Sequence, residues 1–261
     1  MIALPRTPWS RKGDFGRVLI IGGSQRYTGA PCLAGLAALR AGADIVTLMG
    51  HERAMNAAAA HSPDLITIPL RGELEEFQVG EILEEANHAD AVLIGSGLPS
   101  SSFPAIRELI AGIKVPMVLD AAAIHAVGGE LFEYDDKKLI LTPHSGEFKS
   151  LTNEKLSREP KEREKQVKYW AHKLGVTILS KGHVDIVSNG LRTEINMSGN
   201  PYMTVGGTGD VLAGVTVAML AQGMDPVDAA IVAAQKVGQA GDMVAEAKGA
   251  ALIASDLLSD L

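Results

Sequence analysis

The sequence predicts an α/β fold whose mostly parallel central sheet is covered by helices on both faces and ends in an antiparallel edge. Short, almost wholly apolar runs alternate with helix-forming segments over the first two thirds of the 261 residues. Strands without polar alternation are buried on both faces, as in parallel sheets between helices. Further on, two strand-like runs follow each other without a helix between them, which indicates the antiparallel edge.

The predicted elements of the parallel region begin with an apolar strand at residues 17–21, RVLII, which ends at Gly22-Gly23. Further strands are predicted at residues 44–49, 65–68, 91–94, 117–119 and 139–141. Helices are predicted at residues 30–41, 52–60, 79–87 and 105–111. Residues 160–174 alternate acidic and basic side chains around apolar residues at helical spacing, which predicts a surface helix.

The C-terminal part of the chain completes the sheet and then becomes helical. Residues 176–180 and 184–187 predict successive strands, and Asn189-Gly190 predicts a hairpin turn into a third strand near residues 192–196. Helices are predicted at residues 210–222 and 226–247, with a short final segment near residues 255–258. No internal repeat, linker or composition break divides the chain, so we expect one domain over residues 1–261.

Composition and charge argue against several classes of function. The 24 Lys and Arg residues against 31 Asp and Glu give a net charge of −7, without the basic stripe of a nucleic-acid binder. The single cysteine, Cys32, excludes an intramolecular disulfide and a Cys-based zinc site, and its context favours a small core residue over a catalytic thiol. Residues 1–12 lack the apolar run of a signal peptide, and no stretch has the length of a membrane span. We therefore expect a cytoplasmic protein with no nucleic-acid or membrane partner.

The segment SGNPYMTVGGTGDVLAG, residues 198–214, carries the clearest chemical signal. Three glycines run directly into a predicted helix, whose first amides and positive dipole end form an anion site. Asp210 stands beside this site and could accept a proton from a hydroxyl that attacks phosphorus, or it could simply cap the helix, as Thr208 also could. No G-x-x-x-x-G-K-[ST] segment occurs, so the chain is not a P-loop enzyme.

These motifs resemble a known family. GGTGD followed by VLAG resembles the G-x-G-D signature of the ribokinase-like superfamily, in which the aspartate is the base. Together with GRVLIIGGSQRYTGAPCLAGLAALRAGADIVTL and LTPHSGEF, it resembles the ADP- or ATP-dependent NAD(P)H-hydrate dehydratases from about residue 13 to about residue 257. The resemblance implies a ribokinase-like three-layer α/β/α sandwich. The epimerase domain that many family members carry at their N-terminus is not expected within these 261 residues.

The resemblance also implies a reaction and its co-substrates. Family members repair NADH or NADPH whose nicotinamide ring has taken up water at C6. The C6 hydroxyl is thought to be phosphorylated from ADP or ATP, and elimination of phosphate then restores the double bond. We therefore expect NAD(P)H hydrate and ADP or ATP as small-molecule partners, with Mg²⁺ to neutralise charge on the donor phosphates.

Site residues follow from the same resemblance. Asp210 is expected to be the base, with Gly207, Thr208 and Gly209 as the anion hole. The residues expected to bind the hydrate are Ala30, Gly97, His144 and Asp210. The residues expected to bind the nucleotide are Lys181, Gly182, His183, Val184, Asp185 and Gly209. Metal ligands are unknown from the sequence, and Glu147 is the candidate for ordering a divalent ion through water.

Four positions depart from the family pattern, and several site residues also have a structural interpretation. Family members commonly have proline at Ser96, aspartate at Ala122, alanine at His183 and threonine at Asp185. Without the motif context, His144 would mark the start of a helix that Glu147 helps to cap, and Lys181-Gly182 would be a surface turn.

Two rival functions and the assembly remain open at this point. One rival is a ribokinase-like kinase of the hydroxyethylthiazole or hydroxymethylpyrimidine type, which would release a stable phosphate ester. The other is a catalytically silent nucleotide-binding module, against which the retention of Asp210 argues. We expect a homo-oligomer, such as a tetramer, in which the alanine-rich helices at residues 30–41 and 226–247 either join protomers or pack internally.

Overall fold

Nine strands form one sheet in the computed structural model, which describes residues 6–128 and 138–261. In chain order the strands are β1 (Arg17–Ile21), β2 (Ile45–His51), β3 (Ile66–Leu70), β4 (Ala91–Ile94), β5 (Met117–Leu119), β6 (Leu139–Leu141), β7 (Thr177–Ser180), β8 (Asp185–Ser188) and β9 (Thr193–Asn196). Their spatial order is β3-β2-β1-β4-β5-β6-β7-β8-β9. The pairs from β3 to β7 are parallel, and β7-β8 and β8-β9 are antiparallel. The predicted parallel sheet with an antiparallel edge is confirmed.

The helices of the described residues occupy both faces of the sheet. They are α1 (Ala30–Arg40), α2 (Glu52–His61), α3 (Val79–Ala86), α4 (Phe103–Gly112), α5 (Ala122–Val127), α6 (Ser145–Thr152), α7 (Pro160–Leu174), α8 (Thr208–Ala221) and α9 (Pro226–Lys248). The short C-terminal segment is a 3-10 helix at Ala254–Ser259. Helix α5 was not predicted, because its six residues carry no capping signal. Of the predicted N-terminal segment, residues 1–5 lie outside the described part of the chain.

Alternate residues of each parallel strand contribute to two separate cores. Val18 and Ile20 of β1 pack with α1, α2, α8 and α9 on one face. Leu19 and Ile21 pack with helices α3 to α7 on the other face. Both pairs are at most 2% exposed, which explains the lack of polar alternation in the strand sequence. This arrangement is the predicted three-layer α/β/α sandwich.

The alanine-rich helices pack inside the molecule. Ala34 and Ala37 of α1 and Ala230 and Ala233 of α9 are fully buried within the chain. The structure therefore favours the internal-packing interpretation of these residues over contact between protomers. Cys32 is also buried, and burial raises the pKa of its thiol, as expected for a core cysteine. Among the described residues, no helix is both long and apolar enough to cross a membrane.

Gly214 allows the close approach of α8 to α1, and we expect Gly214→Ala to destabilise the protein. A Cβ added at Gly214 would lie 2.1 Å from the carbonyl oxygen of Ala34, which is backbone and cannot rotate away. Overpacking of this kind costs about 1–3 kcal/mol, which exceeds the gain of up to about 1 kcal/mol from alanine's helix propensity. Chemical denaturation measures the difference.

The matched control for this prediction is Gly80→Ala in α3. Gly80 is exposed and helical, and an added Cβ would meet nothing within 4 Å. This substitution should therefore raise the free energy of unfolding by about 0.5–1 kcal/mol. An equal gain from both substitutions would contradict the close contact between α1 and α8.

Candidate active site

The glycine loop before α8 presents backbone amides to the site. Gly207 is the N-cap of α8 and has φ +100°, a conformation that favours glycine. The hydroxyl of Thr208 donates to the carbonyl oxygens of Met203 and Val205, at 3.0 and 3.1 Å, so it does not cap the helix. Among the described residues, no side chain accepts from the first amides of α8. These amides form an anion site at the helix N-terminus.

Asp210 lies in the first turn of α8 and does not cap it. Burial is the main factor that raises the pKa of Asp210 to about 6, and repulsion from Asp120 and Glu147 adds to it. The Ser96 hydroxyl and the Lys181 ammonium act in the opposite direction. A carboxyl group with a pKa near the working pH is suited to general-base catalysis.

Lys181 is the cation at the centre of the site. Its Nζ lies 2.8 Å from Asp120 Oδ1 and 3.6 Å from Glu147 Oε2. Burial alone would lower the pKa of Lys181, but Asp120, Glu147 and Asp210 together raise it, so the ammonium stays charged. Nζ would lie 3.4 Å from a Cβ built on Gly209, so the charge stands next to the anion loop.

Asp120 is the main site residue to which sequence reasoning gave no role. It follows β5, is 3% exposed, and accepts a hydrogen bond of 2.6 Å from Thr142 in addition to the Lys181 contact. The next residue, Ala121, has φ +46°, an uncommon conformation for a residue with a side chain. Strain of this kind is concentrated at functional sites. A polar residue directly after a buried parallel strand was the available signal.

His144 and Glu147 form the predicted helix cap and also border the site. His144 Nδ1 accepts from the amides of Gly146 and Glu147, and the His144 amide donates to Glu147 Oε2 at 2.8 Å. Because Nδ1 accepts, the neutral ring carries its proton on Nε2, which lies 3.4 Å from Glu147 Oε1. The structural interpretation of this pair as a helix cap is thus confirmed.

A cavity of about 810 Å³ lies in front of the anion loop and Lys181. Five of the six predicted nucleotide residues line it, together with His144 and Thr208; the five are Lys181, Gly182, His183, Asp185 and Gly209. Val184 is not among the lining residues. His144, which was expected beside the hydrate, therefore shares a cavity with the nucleotide residues.

Hydrogen bonds from two other elements and from within the turn hold the turn after β7 in place. Asp185 accepts from the Gly182 amide at 3.0 Å and from the Asn196 amide group at 3.2 Å. Arg163 on α7 donates to the Lys181 carbonyl oxygen at 2.8 Å, and its guanidinium fills the space that a Cβ at Gly182 would need. Burial raises the pKa of Asp185, although these hydrogen bonds and Arg163 oppose the rise. The sequence gave no signal for Arg163.

Ala30 and Gly97 form a second group that does not line this cavity. A Cβ built on Gly97 would lie 3.2 Å from Ala30 Cβ and 3.1 Å from the Tyr27 carbonyl oxygen. Gly97 itself has φ +75°. Of this segment, the residue that acts on the Asp210 carboxylate is Ser96, which precedes Gly97.

Comparison with known proteins agrees with this geometry. Residues 18–261 match the family model described as NAD(P)H-hydrate dehydratase. A bifunctional NAD(P)H-hydrate repair enzyme Nnr from Pyrobaculum aerophilum is 45% identical over 258 residues, with 97% of this chain and 51% of that protein covered. The chain thus spans about half the length of the repair enzymes it matches, with 50% covered in the relative from Hyperthermus butylicus.

Two further relatives are matched over most of their length. An ADP-dependent (S)-NAD(P)H-hydrate dehydratase from Cenarchaeum symbiosum is 38% identical, with 95% of this chain and 88% of that protein covered. The crystal structure of the ADP/ATP-dependent NAD(P)H-hydrate dehydratase from Bacillus subtilis, co-crystallised with ATP/Mg²⁺, has a TM-score of 0.82. It is 27% identical, and 98% of this chain and 91% of that chain are covered.

Proposed function

The chain belongs to the NAD(P)H-hydrate dehydratase family, and from this premise we propose that it dehydrates NAD(P)H hydrate with ADP or ATP as co-substrate. The observation that carries the proposal is the position of Asp210. Asp210 lies in the first turn of α8, whose first amides have no side-chain partner within residues 6–128 and 138–261, and its carboxylate interacts electrostatically with Lys181. A base beside an anion site is what transfer of a phosphoryl group to a hydroxyl requires.

The first step transfers a phosphoryl group to the hydrate. Asp210 takes the proton of the C6 hydroxyl, and the oxygen attacks the terminal phosphorus of the nucleotide, whose bond to the bridging oxygen breaks. The amides of Gly207, Thr208 and Gly209 and the ammonium of Lys181 stabilise the negative charge on the phosphoryl oxygens. The products of this step are a C6 phosphate ester and the shortened nucleotide.

The second step eliminates the phosphate. The C6–O bond breaks, the phosphate leaves with the bonding electrons, and the neighbouring ring carbon loses a proton to water, so the ring double bond is restored. Phosphorylation is useful because phosphate is a far better leaving group than hydroxide. The same cationic and amide groups that bind the donor phosphate are available to stabilise the departing one.

The residues present fit a Mg²⁺ ion that arrives with the nucleotide. Among the described residues, no cluster of three or more His, Cys, Asp or Glu side chains could hold a metal. Mg²⁺ is usually held by phosphate oxygens and water with only one or two carboxylates. Glu147, which is 4% exposed and borders Lys181, would contribute through water. When bound, the ion neutralises charge on the donor phosphates.

We also propose the wider context that the sequence predicts. The chain would act as one dehydratase domain, in the cytoplasm, and as a homo-oligomer such as a tetramer. Size-exclusion chromatography with light scattering measures the last of these.

The proposed function is tested by giving the purified protein NADH hydrate with ADP or with ATP. Return of the near-ultraviolet absorbance of NADH, with one phosphate and one AMP or ADP formed per NADH, is the expected result. Omission of the nucleotide is the control. Accumulation of a stable phosphorylated hydrate would indicate a kinase, and no reaction with either nucleotide would overturn the proposal.

The second-order rate constant for hydrate repair should fall at acid pH, and the ionisation of Asp210 should determine where this acid limb begins. Asp210 must be ionised to accept the proton, and its pKa is raised to about 6. The rate should therefore be constant above this pH and fall about tenfold per unit below it. When nucleotide and hydrate are both subsaturating, the pH dependence of the rate reports the pKa values of groups in the free enzyme. A flat profile down to pH 5 would show that another group accepts the proton.

A further inference from the structure

Ser96 has a buried hydroxyl that forms no well-aligned hydrogen bond within the described part of the chain. The residue is fully buried, and its Oγ has no hydrogen-bond partner among the described residues. A buried hydroxyl without a partner is costly and rare in folded proteins. The hydrogen of a serine hydroxyl rotates freely about the Cβ–Oγ bond, so it can donate to an acceptor that lies close to Oγ.

The backbone around Ser96 is anchored to a neighbouring loop. Ser96 follows β4 and stands between Gly95 and Gly97, which have φ +124° and +75°. Its carbonyl oxygen accepts from the Gly23 amide at 2.8 Å. The backbone that carries the Ser96 side chain is thus tied to the loop after β1.

The hydroxyl lies within reach of the Asp210 carboxylate, because α8, which begins with Asp210 in its first turn, packs against β4, and Ser96 follows β4. The other charged groups around this carboxylate are Asp120 after β5, Lys181 after β7 and Glu147 in α6. Two of these three are acidic, and together with burial they favour the protonated form of Asp210. Ser96 is a neutral donor that opposes them, because a hydrogen bond to a carboxylate favours its ionised form.

We propose that Ser96 is a positioning residue for the base: its hydroxyl donates to the Asp210 carboxylate and holds it in the ionised form that can accept a proton. The inference rests on the proposed function. A proline at this position, as in the resembling family pattern, would have no group to donate. Ser96 takes no proton itself and does not touch the reacting atoms.

The test compares Ser96→Ala with Ser96→Thr, which keeps the hydroxyl. In Ser96→Ala the acid limb of the rate profile should move up by roughly half a pH unit or more. The rate at pH 6 should then fall about 2-fold for a shift of half a unit and about 5-fold for a full unit, while the rate at pH 8 stays within about 2-fold of the unmodified protein. Ser96→Thr should keep the original limb. A loss that is equal at all pH values would indicate a packing role only and would overturn the proposal.

Ser102→Ala is the matched control. Ser102 is also fully buried with a hydroxyl that lacks a partner in the described part of the chain, but it lies in the short helical turn before α4. Removing its hydroxyl should leave the limb in place. A limb that moves equally in both variants would overturn the assignment to Ser96.

A titration without turnover separates this inference from the proposed function. The carboxyl carbon of Asp210 is followed by ¹³C NMR and assigned by its loss in Asp210→Asn. Its midpoint should rise in Ser96→Ala and not in Ser102→Ala. A shifted midpoint in a protein that does not repair the hydrate would support Ser96 and overturn the function. Normal repair of the hydrate with an unchanged titration midpoint would support the function and overturn the role of Ser96.

Discussion

Replacing Asp210 with asparagine is expected to lower turnover of NADH hydrate by roughly 10²- to 10⁴-fold, the contribution typical of a general base. Asparagine has the same shape but cannot take the proton of the C6 hydroxyl. The amides of the glycine loop and Lys181 remain, so the nucleotide should bind as well as before or slightly more tightly. Single-turnover formation of NADH measures the first effect, and calorimetric titration with nucleotide measures the second.

Asp228→Asn is the matched control for this prediction. Asp228 is the third residue of α9, as Asp210 is of α8, but it lies on the surface and pairs with Arg192 at 2.7 Å. The same chemical change at the same helical position should leave turnover unaltered. Full activity of Asp210→Asn would refute its assignment as the base, and loss of nucleotide binding would show that it instead maintains the anion site.

Residues that the sequence could identify are those whose signal is local. The glycine loop, the helix that follows it and Asp210 lie within a few positions of one another, and so do His144 and Glu147. Apolar strands and the Asn189-Gly190 turn are also local patterns, which is why the sheet and its antiparallel edge could be predicted. Local patterns thus underlie both the confirmed prediction of the sheet and the predicted site residues.

Residues that the sequence missed act through contacts between distant segments. Asp120 and Lys181 are 61 positions apart and meet only because β5 and β7 end at the same edge of the sheet. Arg163 donates a hydrogen bond to the Lys181 carbonyl oxygen from α7, which was predicted only as a surface helix. Ser96 was seen only as a departure from a pattern, because the sequence does not show which carboxylate lies within reach of its hydroxyl. The order of the strands determines each of these contacts.

The ammonium of Lys181 compensates the acidic groups of the site, and we expect Lys181→Met to remove nucleotide binding and destabilise the fold. Asp120 and Glu147 are both buried and lie 2.8 and 3.6 Å from Nζ. Removing one partner of a buried pair leaves an uncompensated charge and costs about 3–5 kcal/mol. The donor phosphates would also meet acidic side chains without the opposing cation. Chemical denaturation and calorimetric titration with nucleotide measure the two effects.

Two further variants separate charge compensation from simple loss of a lysine. Lys165→Met removes an exposed ammonium that pairs with Glu162 at 3.0 Å on α7, and it should change neither stability nor binding. Adding Asp120→Asn to Lys181→Met should restore much of the stability, because the nearer of the two uncompensated carboxylates is then gone, but nucleotide binding should stay lost. If the double variant were as unstable as Lys181→Met, the cost would arise from packing, and the carboxylates would not depend on Lys181. Recovery of stability without recovery of binding would show that the same ammonium serves the fold through Asp120 and the reaction through the phosphates.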